Sequence, residues 1–341
     1  MTEYVHTPAK TGLDHLRANV SQAVADKAAL INKIDTWHVD TRYDDLFRLE
    51  IDRMLASIIG NNAQEGYAVA VVGKSGAGKS HTIGFALDRH PAFAPFDDGY
   101  GNRKQIFLKV RTPAKCSTKA LGIEILLQAG YPIRRTTITE IEVWRLVREQ
   151  LQRREIRIIH LDETQHVLKE KDLRGRTHTQ NTIKSLMQNI DWPIWLIMSG
   201  IPDMLQLVEN DTDQQMGRRT RVLHVGEMDD SDIPFLKAVM KAVAAKVGYK
   251  LAFPITANFM SRLLHAGIYR QGMLIQLIKM SVESAIWDEK TARDKSVLHS
   301  HFVDGYRRLC NCADGTNVFL IENWADIVRE VDDEGKLSHV I

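Results

Sequence analysis

The sequence predicts an α/β core, a parallel sheet flanked by helices, followed by a small all-helical domain. Three observations carry this prediction. A short apolar run, Tyr67-Ala-Val-Ala-Val-Val72, passes directly into a glycine-rich turn and then a helical pattern. A second apolar run, Arg157-Ile-Ile-His-Leu161, ends in Asp162-Glu163. After Gly226 the strand-like runs stop, and apolar residues recur at three- and four-residue steps.

Composition sets the outer bounds. A chain of 341 residues with 44% apolar content has room for one sizeable core and a smaller second one. Its net charge is only +2, so any surface that binds a polyanion must be local. Three cysteines, Cys116, Cys310 and Cys312, are too few for a disulfide framework and lack zinc-site spacing, which fits a reducing compartment. The N-terminus lacks a signal-peptide profile, and no run approaches the ~20 apolar residues of a membrane span. The expectation is a soluble, cytoplasmic protein with no membrane partner.

Taken in order, Met1 to Gly12 is polar. From Leu13 the positions Leu16, Val20, Val24, Ala28 and Ile31 keep helical spacing and predict one amphipathic helix. His38 to Tyr43 then precedes a helical run, Asp44 to Ile59, with Thr41 as cap and Asp44 three places on.

Gly73, Gly78, Lys79 and Ser80 fit G-x-x-x-x-G-K-[ST], the phosphate-binding loop, placed as its physics requires after a strand and before a helix. Glycines let the backbone curl until successive N–H groups point at a phosphate, and the helix N-terminus adds partial positive charge. The loop residues Gly73, Lys74, Ser75, Gly76, Ala77, Gly78, Lys79, Ser80 and His81 are therefore the candidate nucleotide contacts. Lys79 is assigned to the β- and γ-phosphates of ATP and the Ser80 hydroxyl to Mg2+. With such a loop present, His38 to Tyr43 has two readings, an ordinary capped turn or the wall of a base pocket.

Gln105 to Val110 reads as a strand and Ser117 to Ala129 as a helix. Between Gly99 and Ile123 there is no acidic residue, while Arg103, Lys104, Lys109, Arg111, Lys115 and Lys119 are all basic. With the hydroxyls of Thr112, Ser117 and Thr118 this run suits non-specific contact with a nucleic-acid backbone. A solvated basic face is the competing reading.

Thr136 to Arg154 reads as a helix, followed by the strand that ends in Asp162-Glu163. A carboxylate at that strand end can hold the metal through water, and its neighbour can orient or deprotonate the attacking water. Asp162 is assigned to the metal and Glu163 to water activation. Gln165 is a candidate sensor of the γ-phosphate, and His166, without a second ligand at suitable spacing, reads as a capping or packing residue. Lys169 to Thr179 is expected to be a loop, Thr182 to Ile190 a helix, and Ile194 to Gly200 a buried strand. If that strand lies beside the Asp162 strand, Ser199 falls level with the γ-phosphate; alone it is an ordinary strand-end serine.

Arg218 and Arg219 precede a last strand-like run, Thr220 to Val225. A guanidinium placed at a γ-phosphate neutralises transition-state charge. This pair lies at the far end of the sheet from its own nucleotide, so it would serve a neighbouring subunit; surface salt bridging is the alternative. Beyond Gly226, Asp229 to Val247, Ile255 to Leu264, Met273 to Ile286 and His299 to Leu309 read as helices, with no strand among them. Arg270, in Gly267-Ile-Tyr-Arg270, is placed to reach the nucleotide. Cys310 and Cys312 read as free thiols, and Asn317 to Ile341 as a tail carrying Val318, Phe319, Leu320, Ile321 and Trp324.

The ordered set Gly73 to Ser80, Asp162-Glu163, Ser199, Arg218/Arg219 and Gly267-x-x-Arg270 resembles the AAA+ ATPases. More narrowly, Asp162-Glu-Thr-Gln-His166, Ser199-Gly-Ile-Pro202, Pro113-x-x-x-Ser-x-Lys-x-Leu121 and Leu298 to Tyr306 resemble the TniB/TnsC-type ATPases of DNA transposition, over roughly residues 35 to 310. The resemblance implies an AAA+ P-loop NTPase core at 41–226 and a helical lid at 227–312, with an N-terminal extension at 1–40 and a tail at 313–341. It implies ATP and Mg2+ between subunits, and self-assembly as a ring or helical filament on double-stranded DNA. It implies a transposase as partner, a targeting adaptor of TniQ type, and hydrolysis that drives disassembly. It also makes Arg103, Lys104, Lys109, Arg111, Lys115, Thr118 and Lys119 the DNA candidates. The sequence departs from the pattern at Thr220, where an apolar residue is more usual, which leaves open which arginine is the finger. Two other readings stand: a replication initiator or helicase loader of IstB/DnaC type, and a nucleotide switch with negligible turnover.

Overall fold

A computed structural model describes residues 11–60, 65–114, 116–135, 137–169, 173–209, 215–331 and 337–339. The chain divides into two compact units. One comprises residues 40–227 with 270–272, the other 1–39, 228–269 and 273–341.

The first unit is built on five strands: β1 (Ala68–Val72), β2 (Phe107–Arg111), β3 (Ile158–Asp162), β4 (Trp195–Gly200) and β5 (Thr220–His224). Their order is β2-β3-β4-β1-β5, and every pairing is parallel. Parallel strands covered on both faces need continuous apolar runs, which the Ala/Val/Ile content of β1, β3 and β4 supplies. Alternate residues of β1 serve opposite cores. Ala68, Ala70 and Val72 pack with Leu121, Val143, Leu151 and Leu186, whereas Val69 and Val71 pack with Phe47, Ile51, Ile83 and Leu87.

Two helices cover the second of these faces, α1 (Arg42–Ile59) and α2 (Lys79–Arg89). Three cover the first, α3 (Thr118–Gln128), α4 (Glu140–Arg153) and α5 (Leu173–Met187). Thr41 caps α1 in a reciprocal box with Asp44, as the sequence spacing predicts. A short helix, α6 (Gln215–Arg219), leads into β5.

In place of the expected loop over Lys169 to Thr179, α5 begins at Leu173. Its inward positions include Thr179 and Gln180, both buried. The Thr179 hydroxyl lies 2.6 Å from that of Thr118, and Gln180 donates to the Leu207 carbonyl at 2.9 Å. Because hydrogen-bonded polar groups fill an inward face, the apolar periodicity that marks most helices is missing.

The second unit is mainly helical, with Ile233–Lys246, Ala257–Ala266, all but the first two residues of Gln271–Trp287, and His299–Cys310 as its longer C-terminal helices. Leu236, Phe259, Leu277, Phe302 and Tyr306 are in its core, and Val318 and Phe319 of the tail are buried there. Arg262 fixes that part of the tail by donating to the carbonyls of Val318 and Ile321 at 2.5 and 2.7 Å. Two small ladders absent from the sequence reading join Lys250–Leu251 to Ser296–Val297 and Arg329–Val331 to Leu337–His339.

The single N-terminal helix expected from Leu13 is two, Gly12–Asn19 and Gln22–Asp35. Asn19 bonds back to the His15 carbonyl at 2.7 Å, Val20 is extended, and Ser21 caps the second helix. Short polar side chains compete for the backbone and stop a helix that hydrophobic spacing alone would continue. Cys116, Cys310 and Cys312 are buried thiols, and burial pushes those of Cys310 and Cys312 up. No helix of the described residues is long and apolar enough to cross a membrane.

Candidate functional site

The turn after β1 closes on its neighbours through backbone bonds. Gly73 N–H donates to the Gly200 carbonyl at 3.2 Å, and Ala77 N–H to the Lys74 carbonyl at 3.2 Å. Gly76 and Gly78 take φ of 78° and 95°, a left-handed geometry that side chains disfavour. Gly78 is the cap of α2, so its first-turn N–H groups face the turn with no side-chain cap. Such unsatisfied donors with the helix dipole form an anion site.

Lys79 is 8% exposed. Its Nζ donates to the carbonyls of Gly73 and Lys74 at 2.7 and 3.0 Å. Burial pushes the ammonium below the usual lysine range, opposed by the charges of Glu163 and Asp162. Lys74 is exposed and paired with Glu227 at 2.6 Å, Ser75 is half-buried, Ala77 is buried, and Ser80 and His81 are exposed on α2.

Strand order places the acid pair beside this turn. Asp162 Oδ1 accepts from Ser80 Oγ at 3.1 Å, from Ser199 Oγ at 2.6 Å and from Glu163 N–H at 3.1 Å. Ser199 is fully buried, and β4 holds it in register with Val71 of β1. Glu163 adopts φ 56°, and one of its carboxylate oxygens accepts from Gln165 Nε2. His166 Nδ1 lies 3.2 Å from the Thr112 carbonyl.

Arg270 donates through Nη1 to the Ser75 carbonyl at 2.7 Å, while its Nε is buried with no hydrogen-bond partner among the described residues. Gly272, which sequence reasoning passed over, packs on the loop: a Cβ there would lie 2.6 Å from the Gly76 carbonyl and 2.7 Å from Gly78 N. Its one sequence signal was its place two residues after Arg270. Tyr43, Phe47, Thr82, Leu223 and His224 line a cleft that includes Gly78 and Lys79, so Tyr43 of the His38 to Tyr43 stretch is a wall residue and not only part of a capped turn.

Arg218 and Arg219 end α6 where β5 begins. Thr220 pairs with Ala68, and His224 pairs with Val72, from which the glycine turn departs. The arginines therefore stand a strand length, roughly 13 Å, from the loop end of the sheet. Arg219 forms an ion pair with Glu65, whereas Arg218 is exposed and has no ion pair or hydrogen bond among the described residues.

The basic run separates into two places. Arg103 and Lys104 lie in a short hairpin before β2, where Lys104 bridges Glu155 at 2.5 Å and Asp98 at 3.3 Å. Lys109 pairs with Asp88 at 2.6 Å. Arg111 is exposed at the loop end of β2, in register with Asp162, and Lys119 is half-buried in the first turn of α3. Thr118, read as a backbone contact, is 3% exposed with its hydroxyl on Thr179, so it offers nothing to a ligand. Lys115 lies outside the described residues.

The family model described as bacterial TniB protein matches residues 35–229, more than half of the chain. The chain belongs to the TniB family. No match was found among curated proteins. Among solved structures, the TniB chain is similar to Cdc6p from Pyrobaculum aerophilum at 13% identity and a TM-score of 0.55, covering 80% of this chain and 69% of that one. It is similar to the ORC2 protein of Aeropyrum pernix, solved in ADPNP-ADP complexes, at 15% identity and a TM-score of 0.56, covering 81% and 70%. At these identities the likeness is one of fold, the AAA+ ATPase fold expected from the sequence.

Proposed function

We propose that this TniB-family protein is an ATP-dependent regulator of DNA transposition. ATP and Mg2+ binding joins copies into a ring or helical filament on double-stranded DNA, where the assembly marks a target and recruits a transposase, with a TniQ-type adaptor as targeting partner. Hydrolysis then releases it.

One observation carries this reading. The loop, Asp162, Glu163 and Ser199 meet at one end of the sheet, and the arginine pair stands at the other. A single chain thus lacks a guanidinium near its own Glu163 from that pair, and a neighbour stacked in the same direction would supply it.

The residues fit a magnesium nucleotide. Two left-handed glycines shape a cradle, Gly272 keeps its wall free of side-chain atoms, and Arg270 Nε is a buried donor in want of an acceptor. Ser80 and Asp162 are both oxygen donors, as a hard cation requires. When bound, the magnesium nucleotide supplies an electrophilic terminal phosphate. The loop N–H groups and Lys79 hold that end by charge. Ser80 and Asp162 would hold the cation, and Asp162 has Oδ2 free of the bonds from Ser80 and Ser199. Glu163 takes a proton from water after leaving Gln165. Arg218 of an adjacent copy neutralises charge that grows on the phosphate.

The test is Glu163→Gln with ATP and duplex DNA. The variant should bind both and remain assembled through a wash that strips the wild-type protein, followed by light scattering and electron microscopy. Monomers under saturating ATP and DNA would refute the reading.

A further inference from the structure

We propose that His160 is a positioning residue for the nucleotide site: its Nε2–H fixes the direction of the Ser199 hydroxyl and, through it, the orientation of the Asp162 carboxylate. His160 lies in the middle of β3, 4% exposed, in register with Lys109 of β2 and Ile197 of β4. Its Nε2 is 2.9 Å from Ser199 Oγ, and Ser199 Oγ is 2.6 Å from Asp162 Oδ1.

The proton count fixes the direction of each bond. An ionised carboxylate only accepts, so the single Ser199 proton points to Asp162. Ser199 Oγ must then accept from the imidazole, which requires the Nε2–H tautomer of His160. The relay therefore runs from His160 to Ser199 to Asp162.

His160 lines a cavity with Ser80, Lys109, Arg111 and Asp162, so its ring stands among polar groups of the site. Its strand neighbours Ile158, Ile159 and Leu161 are buried and apolar. An imidazole there costs free energy unless its donor is satisfied, and Ser199 satisfies it. The return is directional. Oδ1 of Asp162 collects three donors, from Ser80, Ser199 and Glu163 N–H, which leaves Oδ2 without a described partner. Ser80 must leave Oδ1 to take a cation. Ser199 stays, because its other side is held by His160.

This inference rests on the nucleotide reading given above, and the test separates the two. In nitrogen-15 spectra of the full-length, nucleotide-free protein, His160 should show the Nε2–H tautomer with a slowly exchanging proton that shifts in Ser199→Ala. His160→Leu should lower kcat about 10- to 100-fold, as for other groups that orient metal ligands, with KM for ATP within about two-fold. It should also raise the Mg2+ concentration needed for half-maximal binding of a fluorescent ATP analogue. His160→Gln, which keeps an N–H near the Nε2 position, should recover most of both.

An Nδ1–H tautomer, wild-type turnover in His160→Leu, or equal losses in the Leu and Gln variants would overturn the relay. The tautomer measurement needs no variant that must fold. Lys79→Ala run in parallel should bind no nucleotide. If it hydrolyses ATP at the wild-type rate, the site reading fails whatever His160 does; if it is dead and His160→Leu is normal, only the relay fails.

Discussion

Gln165 donates its side-chain amide to the Glu163 carboxylate and accepts, through its oxygen, from the backbone N–H of Ile201 at 3.3 Å. The proposed base is thereby tied to the chain just beyond β4, and a Cβ on Gly200 would run into that amide oxygen. A carboxylate engaged this way must give up a charge-assisted bond before it can take a proton from water. Gln165→Ala should raise basal phosphate release by about ten-fold or more, since a hydrogen bond to a charged group contributes roughly 1.5–3 kcal/mol. Affinity for ATP should hold within two-fold. Steady-state kinetics without DNA decide it, and a slower variant would make Gln165 an aligning group instead.

The nucleotide-free protein should be stabilised by Lys79→Met. Burial lowers the folded-state pKa of Lys79, so at neutral pH the folded chain carries an ammonium that the unfolded chain hydrates more cheaply. The unfolded state binds the proton more tightly, and wild-type stability therefore rises with pH through the window between the lowered and the ordinary lysine value. Lys79→Met should gain about 1 kcal/mol at pH 7, a typical trade of function for stability. That advantage should shrink as the pH climbs into the lysine range. Urea melts at two pH values check the sign, and nucleotide binding should be lost.

How legible this molecule was depends on where polar atoms went. The sheet followed from β1, β3 and β4 because strands buried on both faces need unbroken apolar runs. The loop and acid pair followed because phosphate chemistry demands those residue types at that spacing. By contrast the apolar pattern marks only part of α5, since Thr179 and Gln180 face inward with their bonds satisfied, and a polar inward face has no hydrophobic period. His160 looked like a strand residue until Ser199 came within 2.9 Å of it. Gly272 is a loop-packing residue only because the chain returns to Gly76 and Gly78 from nearly two hundred residues away.

Of the two arginines, Arg218 should be the one that serves a neighbour. Arg219 is engaged by Glu65, and withdrawing it would break that ion pair. Arg218→Ala should cut DNA-stimulated hydrolysis by about 10³-fold, the lower range for a finger arginine, while each subunit still binds ATP. Arg219→Ala should cost less than about ten-fold. Mixing Arg218→Ala with Glu163→Gln subunits, each inactive alone, should restore measurable turnover. Such rescue requires that one copy lend its guanidinium to another's intact base.

Two ends of β2 make the proposed DNA contact testable. Arg111 and Lys119 lie toward the nucleotide end, whereas Arg103 lies in the hairpin before the strand. Lys104 and Lys109 are already neutralised by Glu155, Asp98 and Asp88. Binding by counterion release loses affinity in proportion to the phosphates engaged, and each lost contact lowers the slope of log K against log salt by about 1. Arg111→Ala with Lys119→Ala should therefore weaken duplex binding at every sequence and flatten that slope by about 2. Arg103→Ala and Thr118→Val should leave both unchanged, because one is remote and the other has its hydroxyl on Thr179. Fluorescence anisotropy across a salt series resolves these cases. If the Arg111 and Lys119 changes leave slope and affinity intact while Arg103→Ala lowers both, the duplex runs along the opposite end of the sheet.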